Sequence, residues 1–506
     1  MIDWGWRSSF SKDTSECSIS NVLAMVPPAK RPLVRALFDR LVPAIPARLR
    51  LGDHLGCAQS DQSRPFEDHI ADHSPEGGTR QRRATITFRR GDWVPLIASN
   101  VLCAVALAGA FGCAAFALDM LAVVQIVDAP PMPRPDYLQP AIDPAFGTRF
   151  TRVTEPGRHL APGIFCSKAY CRHRYSSAQA WNADQSLLLI ANGCGGFCFL
   201  NGQTYEPAFH RPGDSDCKWH PTDPALMICV YGRLIYTWMP RTNTNTIAYA
   251  PSDYGNLQFG PYKGNPSQDG SRLVVRATNR AGAQVAFAYD ITARKKYPDI
   301  PLTTLEGVNG YCGISPSGRY IACFQTMSSG VETAYVFTLD GVQLQHWTEH
   351  HRPAHGDMTI DADGSDVYVG ISKADPDKWH VIKRRLSDGV VTDLTPAGYA
   401  THASIRNINR PGWVFLSYEG THSDVAGNPG WAPFYQEVVA LRIDGSGEVR
   451  RVAQTRNAKT DYYSETHASP SPDGSQVVWS SNWGAPGGPV ADYVSRLLWP
   501  GVAARK

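Results

Sequence analysis

The chain contains 506 residues, of which 43% are hydrophobic, 19% charged and 10% aromatic, and its formal net charge is +3. This length suffices for one large domain or two to three ordinary ones, and the composition excludes a wholly disordered chain. The nearly balanced charge argues against nucleic acid as a partner, because phosphate binding needs a concentrated basic surface. The 44 Gly, 38 Pro, 13 Trp and 21 Tyr indicate strands joined by tight turns, so we expect an all-β protein.

The N-terminal part of the chain differs from the rest. Residues 1–92 alternate short apolar pieces with Arg-rich and Ser-rich pieces, which predicts a mostly disordered basic tail. Residues 93–118 then carry no charged side chain and are long enough to cross a bilayer as a single helix. Arginines precede this segment and Asp119 follows it, so the positive-inside rule places the rest of the chain outside the cytoplasm.

The apolar segment, counted as 93–126 with its flank, has two interpretations. It is a transmembrane signal anchor or, if the true start lies downstream, a signal peptide cleaved after the small-x-small residues 115–117. The main domain is then periplasmic or extracellular, anchored through 93–118 in the first case and secreted in the second. Residues 127–144 follow, and the six prolines within them predict a stiff, extended linker.

The cysteines agree with export. Eight of the twelve lie after the linker, and an even number in an exported domain predicts disulfides. Cys217 and Cys229, like Cys312 and Cys323, flank a turn between two strand-like runs, which suits a bridge across one hairpin. The other four have the alternative interpretation of a zinc site, and they are Cys166, Cys171, Cys194 and Cys198.

One pattern recurs seven times in residues 145–500: a small-x-Pro approach, a tight turn and a β-branched or aromatic strand. The turns lie at Asp184, Asp223, Asp269, Ser317, Asp363, Arg410 and Asp473. They are 39 to 48 residues apart except for the last interval of 63. Such a period is typical of a β-propeller. We therefore predict a seven-bladed β-propeller over 145–500, in which residues 147–153 close the ring on the last blade. A two-sheet sandwich is the less favoured alternative.

Equivalent positions of the repeats meet around the axis of a propeller. Aligned on their turns, blades 5 to 7 place imidazoles and carboxylates at the same mouth, namely His355, Asp357, His402, Glu465 and His467. Nitrogen and oxygen donors can surround a divalent cation, so we predict His402, Glu465 and His467 as ligands of Mn, Zn or Ca. The alternative is that these histidines only form hydrogen bonds in a polar channel.

A family resemblance rests on the last repeat. Residues 467–484, HASPSPDGSQVVWSSNWG, resemble the PD40/WD40-like repeat of exported bacterial propellers, including the propeller of the Tol translocation system and the oligogalacturonate lyases. The lyases are seven-bladed propellers that cut polyuronates by β-elimination. The resemblance implies that His355 is the base and that His402 and His467 are metal ligands. Where the lyases carry Gln-x-x-His-x-His, this chain has Tyr462-x-x-Glu465-x-His467, so its ligand set differs.

β-Elimination needs a base, neutralisation of the uronate carboxylate and a proton for the leaving oxygen. Arg352 and Arg406 are the candidate carboxylate clamps, and Tyr311 or Tyr462 is the candidate proton donor. Lys263, together with the run 172–175 on the opposite side of the ring, would give an anionic glycan a basic and aromatic path.

The sequence thus favours a monomeric, metal-assisted lyase acting on an acidic oligo- or polysaccharide that contains uronate. One alternative is a non-catalytic envelope propeller that binds protein or glycan partners. A second is a hydrolase that uses Asp357 and Glu465 as acid and base.

Overall fold

A computed structural model describes residues 126–499, except 128, 214–215, 261–262, 328–330, 351–354, 374, 421 and 432. The predicted tail and almost all of the apolar segment lie outside the described residues. Within the described ranges, no helix has the length and apolar character needed to span a membrane.

The described residues form a seven-bladed β-propeller, which confirms the fold predicted from the repeats. Blades 1 to 3 consist of the following strands: Leu187–Ile190, Phe197–Asn201 and Pro207–Arg211; Asp216–Trp219, Met227–Tyr231, Leu234–Met239 and Thr244–Tyr249; Tyr254–Gln258, Arg272–Asn279, Gln284–Asp290, Lys295–Lys296 and Ile300–Pro301. Blades 4 and 5 consist of Val308–Ile314, Tyr320–Thr326, Val331–Thr338 and Gln343–His350; Asp357–Ile360, Asp366–Ile371, Val381–Arg385 and Val391–Asp393. Blades 6 and 7 consist of Ala400–Ser404, Trp413–Tyr418, Glu437–Arg442 and Val449–Gln454; Ser469–Pro470, Gln476–Ser481, Val490–Arg496, Arg149–Arg152 and Pro140–Ile142.

A few short elements lie outside the blade ladders. The strands among them are His159–Ala161, which pairs with Ile164–Phe165, and Tyr170–Cys171, which runs parallel to Val490–Arg496. The helices are His422–Gly427 and the 3-10 turns Leu302–Thr304, Pro429–Trp431 and Tyr462–Ser464. The helix His422–Gly427 and the turn Pro429–Trp431 lie in an insertion between the second and third strands of blade 6.

The ring is closed by the N-terminal strand. Arg149–Arg152 pairs antiparallel with Val490–Arg496, so the start and the end of the domain share blade 7. This confirms the closure predicted for residues 147–153. The Pro-rich linker also contacts this blade, because Trp483 donates a hydrogen bond from Nε1 to the Met132 carbonyl at 3.0 Å. Its end forms the strand Pro140–Ile142 at the edge of the same sheet.

Asp-Gly-Ser sequences form the repeat turns of blades 3, 5 and 7. In each, the aspartate Oδ1 accepts a hydrogen bond from the serine amide, at 3.0 Å for Asp269, 2.9 Å for Asp363 and 2.9 Å for Asp473. The intervening glycine has positive φ, such as +69° at Gly474, a conformation that is unstrained only without a Cβ.

The hydrophobic core lies between neighbouring blades. Each of the seven described clusters combines strands from two adjacent sheets, as in the cluster of Val369 and Ile371 of blade 5 with Leu416 and Val439 of blade 6. Full burial of one such side chain contributes about 1.5–3 kcal/mol. Because both faces of every blade are covered, the polar residues at the axis are held on a rigid frame.

Four disulfides join the eight cysteines. Cys217–Cys229 and Cys312–Cys323 bridge directly paired residues of neighbouring strands, with Cα atoms 4.0 Å apart in each pair, which confirms the predicted hairpin bridges. The remaining four form two more disulfides, Cys166–Cys171 and Cys194–Cys198, so the zinc interpretation was wrong. Four disulfides are typical of an extracytoplasmic protein.

Candidate metal centre and channel mouth

The predicted ligands come together at one mouth of the channel, and they belong to blades 6 and 7. His402 lies within the strand Ala400–Ser404, and Glu465 and His467 lie just before Ser469–Pro470. One ligand atom from each of the three residues lies within 4.8 Å of the others. The Glu465 Oε2 atom is 3.0 Å from His467 Nε2 and 3.6 Å from His402 Nε2.

The surroundings of His402 fix its tautomer. The Thr401 hydroxyl donates to the Ser417 carbonyl at 3.1 Å, so it accepts at 3.2 Å from His402 Nδ1. The Nε2 atom therefore carries a lone pair, and although it is buried it has no hydrogen-bond partner among the described residues. A lone pair that faces a carboxylate oxygen at 3.6 Å is unfavourable unless a cation lies between them. This arrangement fits a divalent ion.

His467 is fully buried between charged groups. The Arg172 guanidinium contacts its Nδ1 atom, and the Nε2–H of the neutral imidazole then points at Glu465. A neutral imidazole binds a cation at Nε2 only when its proton is on Nδ1, so ligation by His467 would require a change of tautomer and movement of the Arg172 guanidinium away from Nδ1. Burial, reinforced by the charge of Arg172, holds the pKa of His467 well below its ordinary value, so the ring is neutral.

Glu465 is oriented by a lysine that the sequence analysis did not single out. Lys459 Nζ lies 2.7 Å from Glu465 Oε1 and 3.4 Å from Glu419 Oε2, which leaves Oε2 of Glu465 directed at the two imidazoles. Although burial lowers it, the pKa of Lys459 is raised overall by these two carboxylates. Glu419 is itself buried and accepts from the Thr466 amide at 2.6 Å.

His355 lies next to the three candidate ligands. Its ring stacks on that of His402, with centroids 4.6 Å apart and planes 18° apart. Its Nδ1–H donates to the Thr401 carbonyl at 2.5 Å, so Nε2 is the basic nitrogen. Burial, with a smaller effect from Lys263, lowers the pKa of His355 to about 3, and the imidazole is neutral.

Of the two predicted carboxylate clamps, the structure describes only Arg406. Arg406 donates from Nε and Nη2 to the two carboxylate oxygens of Asp357, both at 2.8 Å, so blades 5 and 6 are joined by a bidentate ion pair. Its guanidinium therefore has a carboxylate partner within the protein. Arg352 lies outside the described residues.

Tyr311, the first candidate proton donor, is linked to the cluster through other side chains. Its ring stacks on Phe324 at 4.7 Å, and Lys263 Nζ lies 5.6 Å from it and 4.9 Å from the Tyr175 ring. Tyr175 in turn lies 4.7 Å from the His467 ring. Tyr462, the second candidate, is nearer, with its ring 5.1 Å from that of His467.

Two hydrogen bonds join residues of blade 6 to the chain that leads into blade 1. Ser404 Oγ donates to the Ser176 carbonyl at 2.5 Å, and Gln179 Nε2 donates to the Arg406 carbonyl at 2.7 Å. On the side of the turns lies a cavity of about 410 Å³ whose lining includes Asp357 and Arg406 but none of the three candidate ligands.

The run 172–175 lies beside the cluster and not across the ring from it. It belongs to the chain that leads into blade 1, which is the neighbour of blade 7 in a closed ring. His173 shows this packing, because its Nε2 lies 2.7 Å from the His467 carbonyl and its Nδ1 lies 3.0 Å from Asp492. The Arg-His-Arg sequence of residues 172–174 pointed to this run before the structure was known. Lys459 and Glu419 belong to no recognisable motif, so the sequence analysis missed them.

Comparisons with known proteins find structural similarity at low sequence identity. No protein-family model and no curated protein matches the chain. Similar solved structures include an oligogalacturonate lyase in complex with manganese, at 15% identity and a TM-score of 0.48, covering 71% of this chain and 96% of that one. An oligogalacturonate lyase from Vibrio parahaemolyticus has 12% identity, a TM-score of 0.47 and the same two coverages. TolB from Acinetobacter baumannii has 16% identity and a TM-score of 0.31, covering 54% of this chain and 61% of that one.

Proposed function

We propose that this propeller is an exported, metal-assisted lyase that cleaves a uronate-containing glycan by β-elimination. The observation that carries the proposal is the juxtaposition at one mouth of His402, Glu465 and His467 with the neutral base candidate His355. A scaffold has no need of a buried imidazole whose unpaired Nε2 faces a carboxylate.

The donor set suits a catalytic ion. Two imidazoles and one carboxylate leave coordination positions open for substrate, as in catalytic zinc sites. They favour Mn²⁺ or Zn²⁺ over Ca²⁺, which takes oxygen ligands. A divalent ion held here would bind the uronate carboxylate and neutralise its charge, which acidifies the neighbouring C5–H.

The residues of the chain supply the proton transfers. His355 Nε2 takes the C5 proton, the C4–O4 bond breaks as the C4–C5 double bond forms, and the leaving O4 receives a proton from the Tyr462 hydroxyl. Tyr462 is half-exposed, and the burial of its other half raises its pKa above the ordinary value, so this hydroxyl is protonated at neutral pH. Proton return from His355 to Tyr462 through solvent restores the enzyme.

The test combines metal analysis with product detection on the full-length chain. We expect near-stoichiometric Mn²⁺ or Zn²⁺, lost in His402→Ala, and growth of ultraviolet absorbance on polygalacturonate, because unsaturated uronates absorb. His355→Ala should keep the metal and lose about 10²–10⁴-fold in rate. His210→Ala, on the outer strand of blade 1, is the matched control and should change neither quantity.

A non-catalytic glycan- or protein-binding propeller is the second candidate. It is favoured by the burial of His402 and His467, which are 1% and 0% exposed and leave only Glu465 and His355 accessible to substrate. A protein that holds no metal and forms no unsaturated product from any uronate polymer would select this candidate.

A further inference from the structure

Two tyrosines are exposed side by side next to the histidine cluster. Tyr462 is 51% exposed and Tyr463 is 40% exposed, in the short 3-10 turn that leads to Glu465 and His467. Tyrosine rings are usually largely buried, and adjacent exposed aromatic rings at the mouth of a site are typical of ligand contact. Neither ring has a place in the core clusters of the propeller among the described residues.

The turn that carries them is rigid. The Asp461 carboxylate accepts from the Ser464 amide at 2.9 Å, while Ser464 Oγ accepts from the Asp461 amide at 2.9 Å. Arg172 donates to the carbonyls of both tyrosines, at 3.2 Å for Tyr462 and 2.6 Å for Tyr463. Rings held in place before binding lose little conformational entropy when a ligand arrives.

A third tyrosine supports the pair. The Tyr170 ring is parallel to that of Tyr463, with centroids 4.1 Å apart and an interplanar angle of 3°. The Tyr462 ring stands at 80° to that of Tyr463 at 5.5 Å and reaches within 5.1 Å of His467. The aromatic surface of these three residues, which we call the tyrosine platform, therefore extends from the candidate metal centre outward.

We propose that the tyrosine platform binds one pyranose ring of the glycan, adjacent to the uronate that is cleaved. This inference rests on the proposed function for the identity of the ligand. A pyranose offers a C–H face to an aromatic ring and hydroxyl groups to the phenol oxygens. The platform is too small for a stable protein partner, which needs about 1,200–2,000 Å² of interface.

The test measures binding without turnover. Trigalacturonate is titrated into the full-length His355→Ala protein in the presence of Mn²⁺, and the dissociation constant is compared with those of added platform variants. We expect Tyr462→Ala and Tyr463→Ala to weaken binding about tenfold each, since the stacking contribution of the ring is lost. Tyr462→Phe keeps the ring and should stay within about twofold. Tyr231→Ala, a 59% exposed tyrosine of blade 2, is the matched control and should also stay within about twofold.

Unchanged affinity in both alanine variants, or no binding of trigalacturonate at all, would overturn the platform. If Tyr463→Ala does not fold, as judged by its thermal midpoint, Tyr462→Ala decides alone, because its side chain is the more exposed. Product formation by the parent protein is measured separately. Binding that depends on the tyrosines, without unsaturated product, supports the platform and refutes the lyase. Product formation with binding that does not depend on the tyrosines supports the lyase and refutes the platform.

Discussion

Replacement of Arg406 by Met distinguishes a structural ion pair from a substrate clamp. The carboxylate of Asp357 accepts two hydrogen bonds from Arg406, both at 2.8 Å, and one from the Ile405 amide at 2.9 Å. The two side chains are only 10% and 5% exposed. Removal of one partner of a buried pair costs about 3–5 kcal/mol, because the other charge stays buried without its partner. The backbone donor still serves Asp357, so we expect the lower end of this range, about 3 kcal/mol.

The assay is urea unfolding of the full-length chain at neutral pH, followed by tryptophan fluorescence. Asp357→Asn combined with Arg406→Met should recover part of the loss, since no buried charge remains. Arg385→Met is the matched control, because its ion pair with Asp388 is exposed at 38% and 45%, and it should lose no more than about 1 kcal/mol.

The pH dependence of this loss has a definite sign. Burial already raises the pKa of Asp357 above its ordinary value although Arg406 opposes it, and without the guanidinium the rise must be larger. A raised pKa in the folded state means that protonation favours folding, so the variant recovers stability as the pH falls and is least stable at neutral and higher pH. A loss below 1 kcal/mol at neutral pH, accompanied by weaker substrate binding, would refute the structural role and support the clamp.

Further predictions concern the disulfides and the site. Cys312→Ser combined with Cys323→Ser should lower the free energy of unfolding by about 2–3 kcal/mol in urea titrations, because a short loop is no longer closed. Lys459→Met should weaken Mn²⁺ binding about tenfold by calorimetry, with partial rescue by Lys459→Arg, since Glu465 loses its orienting cation. Tyr462→Phe should lower kcat about 10²-fold or more while leaving KM nearly unchanged. Equal losses in kcat and binding would contradict the last prediction.

Several features of this protein depend on local sequence alone. The turn at Asp473-Gly474 needs a side-chain acceptor, and the equivalent residue accepts a backbone N–H in every blade except blade 6, where Arg410-Pro411 stands in the turn. The number of such repeats therefore predicts the number of blades. The Cys312–Cys323 bridge is predictable for the same reason, because hairpin register pairs the two residues directly. The alignment of repeats also identifies which histidines share a mouth, since equivalent strands face one axis.

Other features depend on contacts between residues that are distant in the chain. Ring closure places Arg172 against His467, 295 residues later, and no repeat alignment predicts that contact because Arg172 precedes the first repeat. The partner of Arg406 is likewise set by the packing of blade 6 on blade 5, which turns a predicted substrate clamp into part of a buried ion pair. Lys459 and Glu465 lie in the same irregular segment, and the course of its backbone brings their side chains together.

The division has a physical cause. Turn chemistry and strand pairing act within about fifty residues and repeat along the chain, so a single sequence displays them many times. Side chains at the channel mouth are oriented by partners from several blades, and each such contact occurs once. The sequence by itself therefore determined the seven-bladed frame and the mouth at which His355, His402, Glu465 and His467 meet. Only the tertiary structure decided which nitrogen of each imidazole is free and which cations orient the carboxylates.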